Sequence, residues 1–325
     1  MLTVVLGLAG ALVYGAADFF GGLAARRISA LRVTALGALS GVVLLVVGTL
    51  IVPGRWSPEA VLWGGISGVT GAAAIALLYA CLAIGPMSIL SPLTAVTSAI
   101  VPLTWGLVTG AELGTIAYPA FALALVAVVL VGFVPAKEAV RPTLPGLLMA
   151  TVSGVLIGAF YILVDQTPDD SGLVPLVANR TVNVTIMITL IVVLAVIAGR
   201  RHVRAADAPL TVLDGTHGAP HALGAEATAA PARDGLLRAS AAALRGGWRG
   251  GFWLAVGCGV LDALANVVVL VGLRVGDLTI VSVLTALYPA GTILLAALVL
   301  RERIARLQWV GLALALAASA MLAAA

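Results

Sequence analysis

Apolar residues in this chain come in long unbroken runs, separated by short clusters of Pro, Gly and charge. A helix that crosses the hydrocarbon layer of a membrane needs about 20 mainly apolar residues. Ten windows meet that length, at roughly 2–23, 33–52, 61–84, 86–109, 115–134, 145–165, 173–198, 250–272, 277–300 and 305–325. The breaks are compact: Arg26-Arg27, Pro53-Gly54-Arg55, Gly85-Pro86, Gly110-Ala-Glu112, Pro135-Ala-Lys137 and Asp169-Asp170. Spans three and four, and eight and nine, are joined by so little chain that each pair is predicted to be a tight hairpin. No basic residue precedes the first run, and Arg26 and Arg27 follow it. That order reads as a first transmembrane helix that stays in the protein, not as a cleaved leader.

One connection differs. The stretch 199–248 is rich in Ala, Gly, Pro, His and Arg and has no sustained period. It reads as a largely disordered insert, with a short basic surface helix at Leu236–Arg245. His217 and His221 are four apart there, the spacing of a helical metal pair. Gly218 and Pro220 between them work against a helix, so no metal site is expected.

Composition changes the solvent rather than the elements. The 325 residues are 62% hydrophobic and only 10% charged, with mean hydropathy +1.16. Soluble domains carry nearer 25% charge, so the medium around this chain is lipid. The net charge of +4 is explained by placement rather than by nucleic-acid binding. Fifteen Lys and Arg fall on the side of loops 1–2, 3–4, 5–6, 7–8 and 9–10, and two, Arg55 and Arg274, on the other. The positive-inside rule puts the first side in the cytoplasm and both termini outside. The two cysteines, Cys81 and Cys258, sit alone in apolar spans. They build no disulfide or metal framework, and no cofactor is expected.

The chain also repeats itself. Gly68–Ser98 aligns without gaps on Gly259–Pro289, 191 positions later, and 11 of 31 residues are identical. The identities include Ser91/Ser282, Leu93/Leu284, Thr94/Thr285 and Ala95/Ala286. A chain this rich in Ala, Leu, Val and Gly would give about four by chance. Each copy holds five spans, an odd number, so the second copy enters the membrane the other way round. The expected fold is an all-α integral membrane protein, ten transmembrane helices as two inverted five-helix repeats. The units are 1–140 and 141–325, the second carrying the insert. Inverted repeats are a recurrent plan of secondary transporters, with the site between the halves.

Tyr14-Gly-Ala-Ala-Asp-Phe-Phe-Gly-Gly22 with Arg26-Arg27, and Leu284-Thr-Ala-Leu-Tyr-Pro289 leading to Leu300-Arg-Glu-Arg303, resemble the EamA-type branch of the drug/metabolite transporter superfamily. The resemblance covers almost the whole chain outside the insert. Glu112, which closes the first copy, lacks the flanking Arg of the second and is displaced by one residue. The resemblance implies a ten-helix bundle with a cavity lined by spans 1, 3, 4, 6, 8 and 9. It implies transport of small metabolites, amino acids or drugs. It also implies termini in the cytoplasm, against the charge count, which we follow.

A charge inside a span is costly and is a functional candidate by default. Three stand out: Asp18 in span one, Arg180 in span seven and Asp262 in the middle of span eight. Asp262 and Asn266 share a helix face, and the repeat puts Gly71 and Ile75 at their positions. That departure from symmetry points either to a site or to an Asp262–Arg180 pair locking two spans together. Asn179 and Asn183 are further candidates, for the pathway or as interhelical glue. Tyr14, four before Asp18, shares its face. Ser88, Ser91, Thr94 and Ser98 form one stripe of small polar residues, and Thr279, Ser282, Thr285 and Pro289 another. Such stripes serve packing or substrate. Tyr288 beside Pro289 is a cavity candidate, and Pro289 and Pro102 are predicted to kink their spans. Glu302 reads as an interfacial anchor, and Trp56, Trp63, Trp248, Trp253 and Trp309 as an aromatic belt.

The expectation is a multi-pass secondary transporter of a bacterial-type cell (inner) membrane, an efflux protein working by alternating access. A small-molecule substrate and the bilayer are its partners; proton coupling and a homodimer are left open. No Walker A stretch occurs, which argues against direct ATP coupling. The rivals are a passive channel, a lipid-carrier flippase and a membrane-embedded enzyme. The last would need clustered His, Cys or carboxylates at depth, and all three His lie in the insert.

Overall fold

The computed structural model describes the chain except residues 26, 29, 85–86, 112, 133–141, 207–249, 302–303 and 325. Its helices are α1 (Leu2–Ala25), α2 (Ala30–Ile51), α3 (Pro58–Ile84), α4 (Met87–Val108), α5 (Ala117–Gly132), α6 (Leu144–Asp165), α7 (Val174–Ala206), α8 (Phe252–Val275), α9 (Leu278–Thr285), α10 (Tyr288–Val299) and α11 (Arg306–Ala324), with a 3₁₀ turn at Asp169–Ser171. Eight spans among the described residues are long and apolar enough to cross a membrane, α9 and α10 counting together as one. Two shorter apolar helices, Pro92–Val108 and Ala117–Gly132, complete the set. Outward-facing side chains such as Leu50, Ile51, Val108, Leu298 and Trp253 are largely exposed, as a lipid-facing surface requires.

One expectation needs correction. The seventh span does not stop at 198, where the insert was expected to begin, but stays helical to Ala206. Arg200, Arg201 and Arg204 are strong helix formers, and positive charge in a last turn suits the helix dipole; an apolar window cannot see them. The rest of the insert, with His217, His221 and Trp248, lies outside the described residues, as do Glu112 and Glu302. The two prolines act differently. Span nine is divided, and Pro289 stands at the start of α10, where its missing N–H costs nothing. Pro92 and Pro102 instead lie inside one uninterrupted α4.

Neighbouring helices pack in matched pairs. α1 packs on α8 and α3 on α6; α4 on α6 and α9–α10 on α1; α3 on α7 and α8 on α2. Exchanging spans one to five with six to ten maps each pairing onto its partner. The closest crossings obey the same exchange. A Cβ on Gly68 of α3 would overlap the Asn179 carbonyl of α7. A Cβ on Gly259 of α8 would overlap the Gly37 carbonyl of α2. Gly68 and Gly259 are identical positions of the repeat, and small residues let backbones meet where lipid supplies no hydrophobic drive.

These contacts also order the bundle. Thr3 packs by Gly276, at one end, and Ala24 by Gly251, at the other. α1 therefore runs antiparallel to α8. The end holding Gly276 also holds the α6–α7 connection, because the Arg274 guanidinium donates to Ser171 Oγ at 2.9 Å.

Candidate functional site

A cavity of about 190 Å³ lies inside the bundle, with walls from α1, α3, α6, α7, α8 and the start of α10. Tyr14, Asp18, Asn179, Arg180, Asp262, Asn266 and Tyr288, seven of the sequence candidates, line it. Gly71 and Ile75 line it too. These are the repeat positions of Asp262 and Asn266, so one cavity takes equivalent positions from both halves.

The polar groups are held from behind. Arg180 pairs with Asp262 across α7 and α8. The arginine is 8% exposed, and its Nε is buried without a partner. Asn266 Nδ2 donates to the Asp262 carbonyl at 2.6 Å, which ties the amide to its own helix. Asn179 Nδ2 donates to Ser67 Oγ of α3 at 2.8 Å, so this wall residue also fastens α7 to α3. Asp18 has no hydrogen bond or ion pair among the described residues and is exposed in the cavity wall; Arg26 lies outside them.

Asn183, Thr94, Ser98, Ser282 and Thr285 are not among the cavity's lining residues. Asn183 is buried close to Gly71. Thr94 donates to the carbonyls of Leu90, at 3.0 Å, and of Ala150 on α6, at 3.1 Å. Ser98 bonds the Ala95 carbonyl, Ser282 that of Thr279, and Thr285 that of Val281. Those three hydroxyls are satisfied within their own helices and present small surfaces for packing. The Ser91 side chain is outside the described residues.

Sequence reading missed Phe160 and Tyr161 of α6, which line the cavity and meet edge to face at 5.2 Å. Two adjacent aromatics in an apolar span look like core. The available signal was the tyrosine hydroxyl, which needs a partner at membrane depth; Tyr14 lies within interaction range of it.

The two ends of the cavity differ. Towards the α6–α7 connection, one cluster of buried apolar residues joins α2, α6, α7, α8 and α9, including Leu45, Val164, Leu173, Leu273 and Leu278. Beyond it the Arg55 amide donates to the Asp170 carbonyl at 2.9 Å, and a Cβ on Gly54 would overlap the Ser171 carbonyl. At the other end the buried apolar residues fall into two separate groups. One joins α1, α2 and α8 through Ala24, Ile28, Val33 and Ala255. The other joins α3, α4 and α6 through Cys81, Leu90 and Ala150. Among the described residues, one buried apolar cluster spans the first end and two separate ones lie at the second.

Comparison with known proteins adds a family match for the C-terminal part. The sequence model of the EamA-like transporter family matches residues 235–324. The C-terminal part is EamA-like, and the chain is a membrane transporter. The EamA-like part contributes Asp262, Asn266 and Tyr288 to the cavity, while Tyr14, Asp18 and Arg180 come from outside it. A solved structure described only as "Crystal structure of protein" is similar over 98% of this chain and 95% of its own, with TM-score 0.64 and 15% identity. At that identity the likeness speaks for the fold alone. No curated protein matches the chain.

Proposed function

We propose that this membrane transporter is a secondary carrier, and not an enzyme, which exports a small metabolite, amino acid or drug by alternating access. The repeats 1–140 and 141–325 are its two moving halves, set in a bacterial-type cell membrane. The observation that carries this reading is that repeat-equivalent positions, Gly71 with Asp262 and Ile75 with Asn266, line one cavity. A site shared by two inverted halves can be offered to either side in turn. Packed apolar side chains close the cavity towards the α6–α7 connection, which favours a carrier over an open channel. By the charge count, the other end faces the cytoplasm. Asp18 is the carboxylate free to take a coupling proton, since Asp262 is engaged by Arg180.

The test is uptake into proteoliposomes. A carrier gives saturable uptake of a labelled compound, accelerated by unlabelled compound on the far side. Flux that neither saturates nor exchanges would favour a channel and overturn the reading.

A further inference from the structure

We propose that the cavity takes a small organic cation, an amine or quaternary ammonium with apolar substituents. This rests on the carrier reading of the same cavity and names its substrate class.

The first argument is charge. Three charged side chains line the cavity: Asp18, Arg180 and Asp262. Arg180 and Asp262 neutralise one another. Asp18 is left with no ion pair or hydrogen bond among the described residues, and when it is ionised the walls carry one uncompensated negative charge. At membrane depth such a charge is costly, and a bound cation offsets it. A bound anion adds to it.

The second argument is what Arg180 can still do. A zwitterion would ask the guanidinium for its carboxylate. Its Nη2 is already on Asp262, and its Nε is buried. A carboxylate there would have to share the guanidinium's single positive charge with Asp262. The third argument is the surface around Asp18. Tyr14, Phe160, Tyr161 and Tyr288 place four aromatic rings in a cavity of about 190 Å³. Aromatic faces attract cations, most of all weakly hydrated alkylammonium groups in a desolvated site. Without Asp18 the same rings would hold any apolar molecule; the carboxylate makes the choice.

The experiment uses the full-length protein in proteoliposomes and four probe classes of similar size. These are choline and other alkylammonium cations, betaine and other zwitterions, small carboxylates, and 3,3-dimethylbutanol as the neutral isostere of choline. The proposal expects saturable, exchangeable uptake from the cation class only. It expects Asp18→Asn to lower that uptake at least tenfold at unchanged protein yield, with Asp18→Glu retaining it. Saturable uptake of zwitterions, carboxylates or the neutral alcohol, with none of cations, overturns the proposal and leaves the carrier reading standing. Cation uptake that survives Asp18→Asn overturns it as well. Absence of saturable uptake in all four classes overturns both.

Discussion

The guanidinium of Arg180 on α7 and the carboxylate of Asp262 on α8 form an ion pair in the cavity wall, the arginine buried and the aspartate partly exposed. Asp262 has no charged counterpart in the first copy, where Gly71 occupies its position. The pair therefore does two things. It ties two helices of the second half together, and it uses up one of the two carboxylates facing the cavity.

Breaking that pair should cost stability before it costs transport. Asp262→Asn strands a buried guanidinium, and removing one member of a buried pair costs about 3–5 kcal/mol. We expect lower yield and a lower melting temperature in detergent. The double variant Arg180→Gln/Asp262→Asn should recover both, because no buried charge is left unpaired. A fully stable single variant would show that the pair has no structural weight.

The helix crossings give a sharper prediction. An added methyl on Gly68 would overlap the Asn179 carbonyl, and on Gly259 the Gly37 carbonyl. On Gly71, three residues along α3, the nearest group is Asn183 Nδ2 at 3.9 Å. Replacing a helical glycine by alanine favours the helix by about 1 kcal/mol, whereas overpacking costs typically about 1–3 kcal/mol. Overlap with backbone cannot relax by a rotamer change. Gly68→Ala and Gly259→Ala should both lower the melting temperature, and Gly71→Ala should leave it level or raised. The ordering is checked by thermal unfolding of purified protein; a benign Gly68→Ala beside a damaging Gly259→Ala would break the equivalence of the two copies.

Orientation is tested from the insert. A cysteine placed by Ala225→Cys should be shielded from impermeant thiol reagents in intact cells and labelled after lysis. Labelling before lysis would reverse the sidedness drawn from the lysine and arginine count.

The spans were readable because lipid imposes a length on apolar runs, and the break in span nine because Pro289 cannot donate to a helix. The extension of α7 past 198 was not, since Arg200, Arg201 and Arg204 end the apolar run without ending the helix. Asp18, Arg180 and Asp262 stood out because charge is rare at membrane depth. The hydroxyl stripes left packing and substrate both open because sequence spacing places Ser98, Ser282 and Thr285 on a face but cannot say that each oxygen bonds its own helix. Phe160 and Tyr161 were hidden because an aromatic ring facing a cavity and one facing a core have the same neighbours in sequence.

Alternating access requires the closed end to open. There the Arg55 amide donates to the Asp170 carbonyl at 2.9 Å, and both side chains are exposed, so Arg55→Cys/Asp170→Cys places two reactive thiols across the closure. The decisive measurement is saturable uptake by this double variant in proteoliposomes, before oxidation, after it and after reduction. The account predicts transport in the reduced protein, loss on crosslinking and recovery on reduction, with neither single cysteine responding. Unchanged transport through a fully crosslinked protein would contradict it.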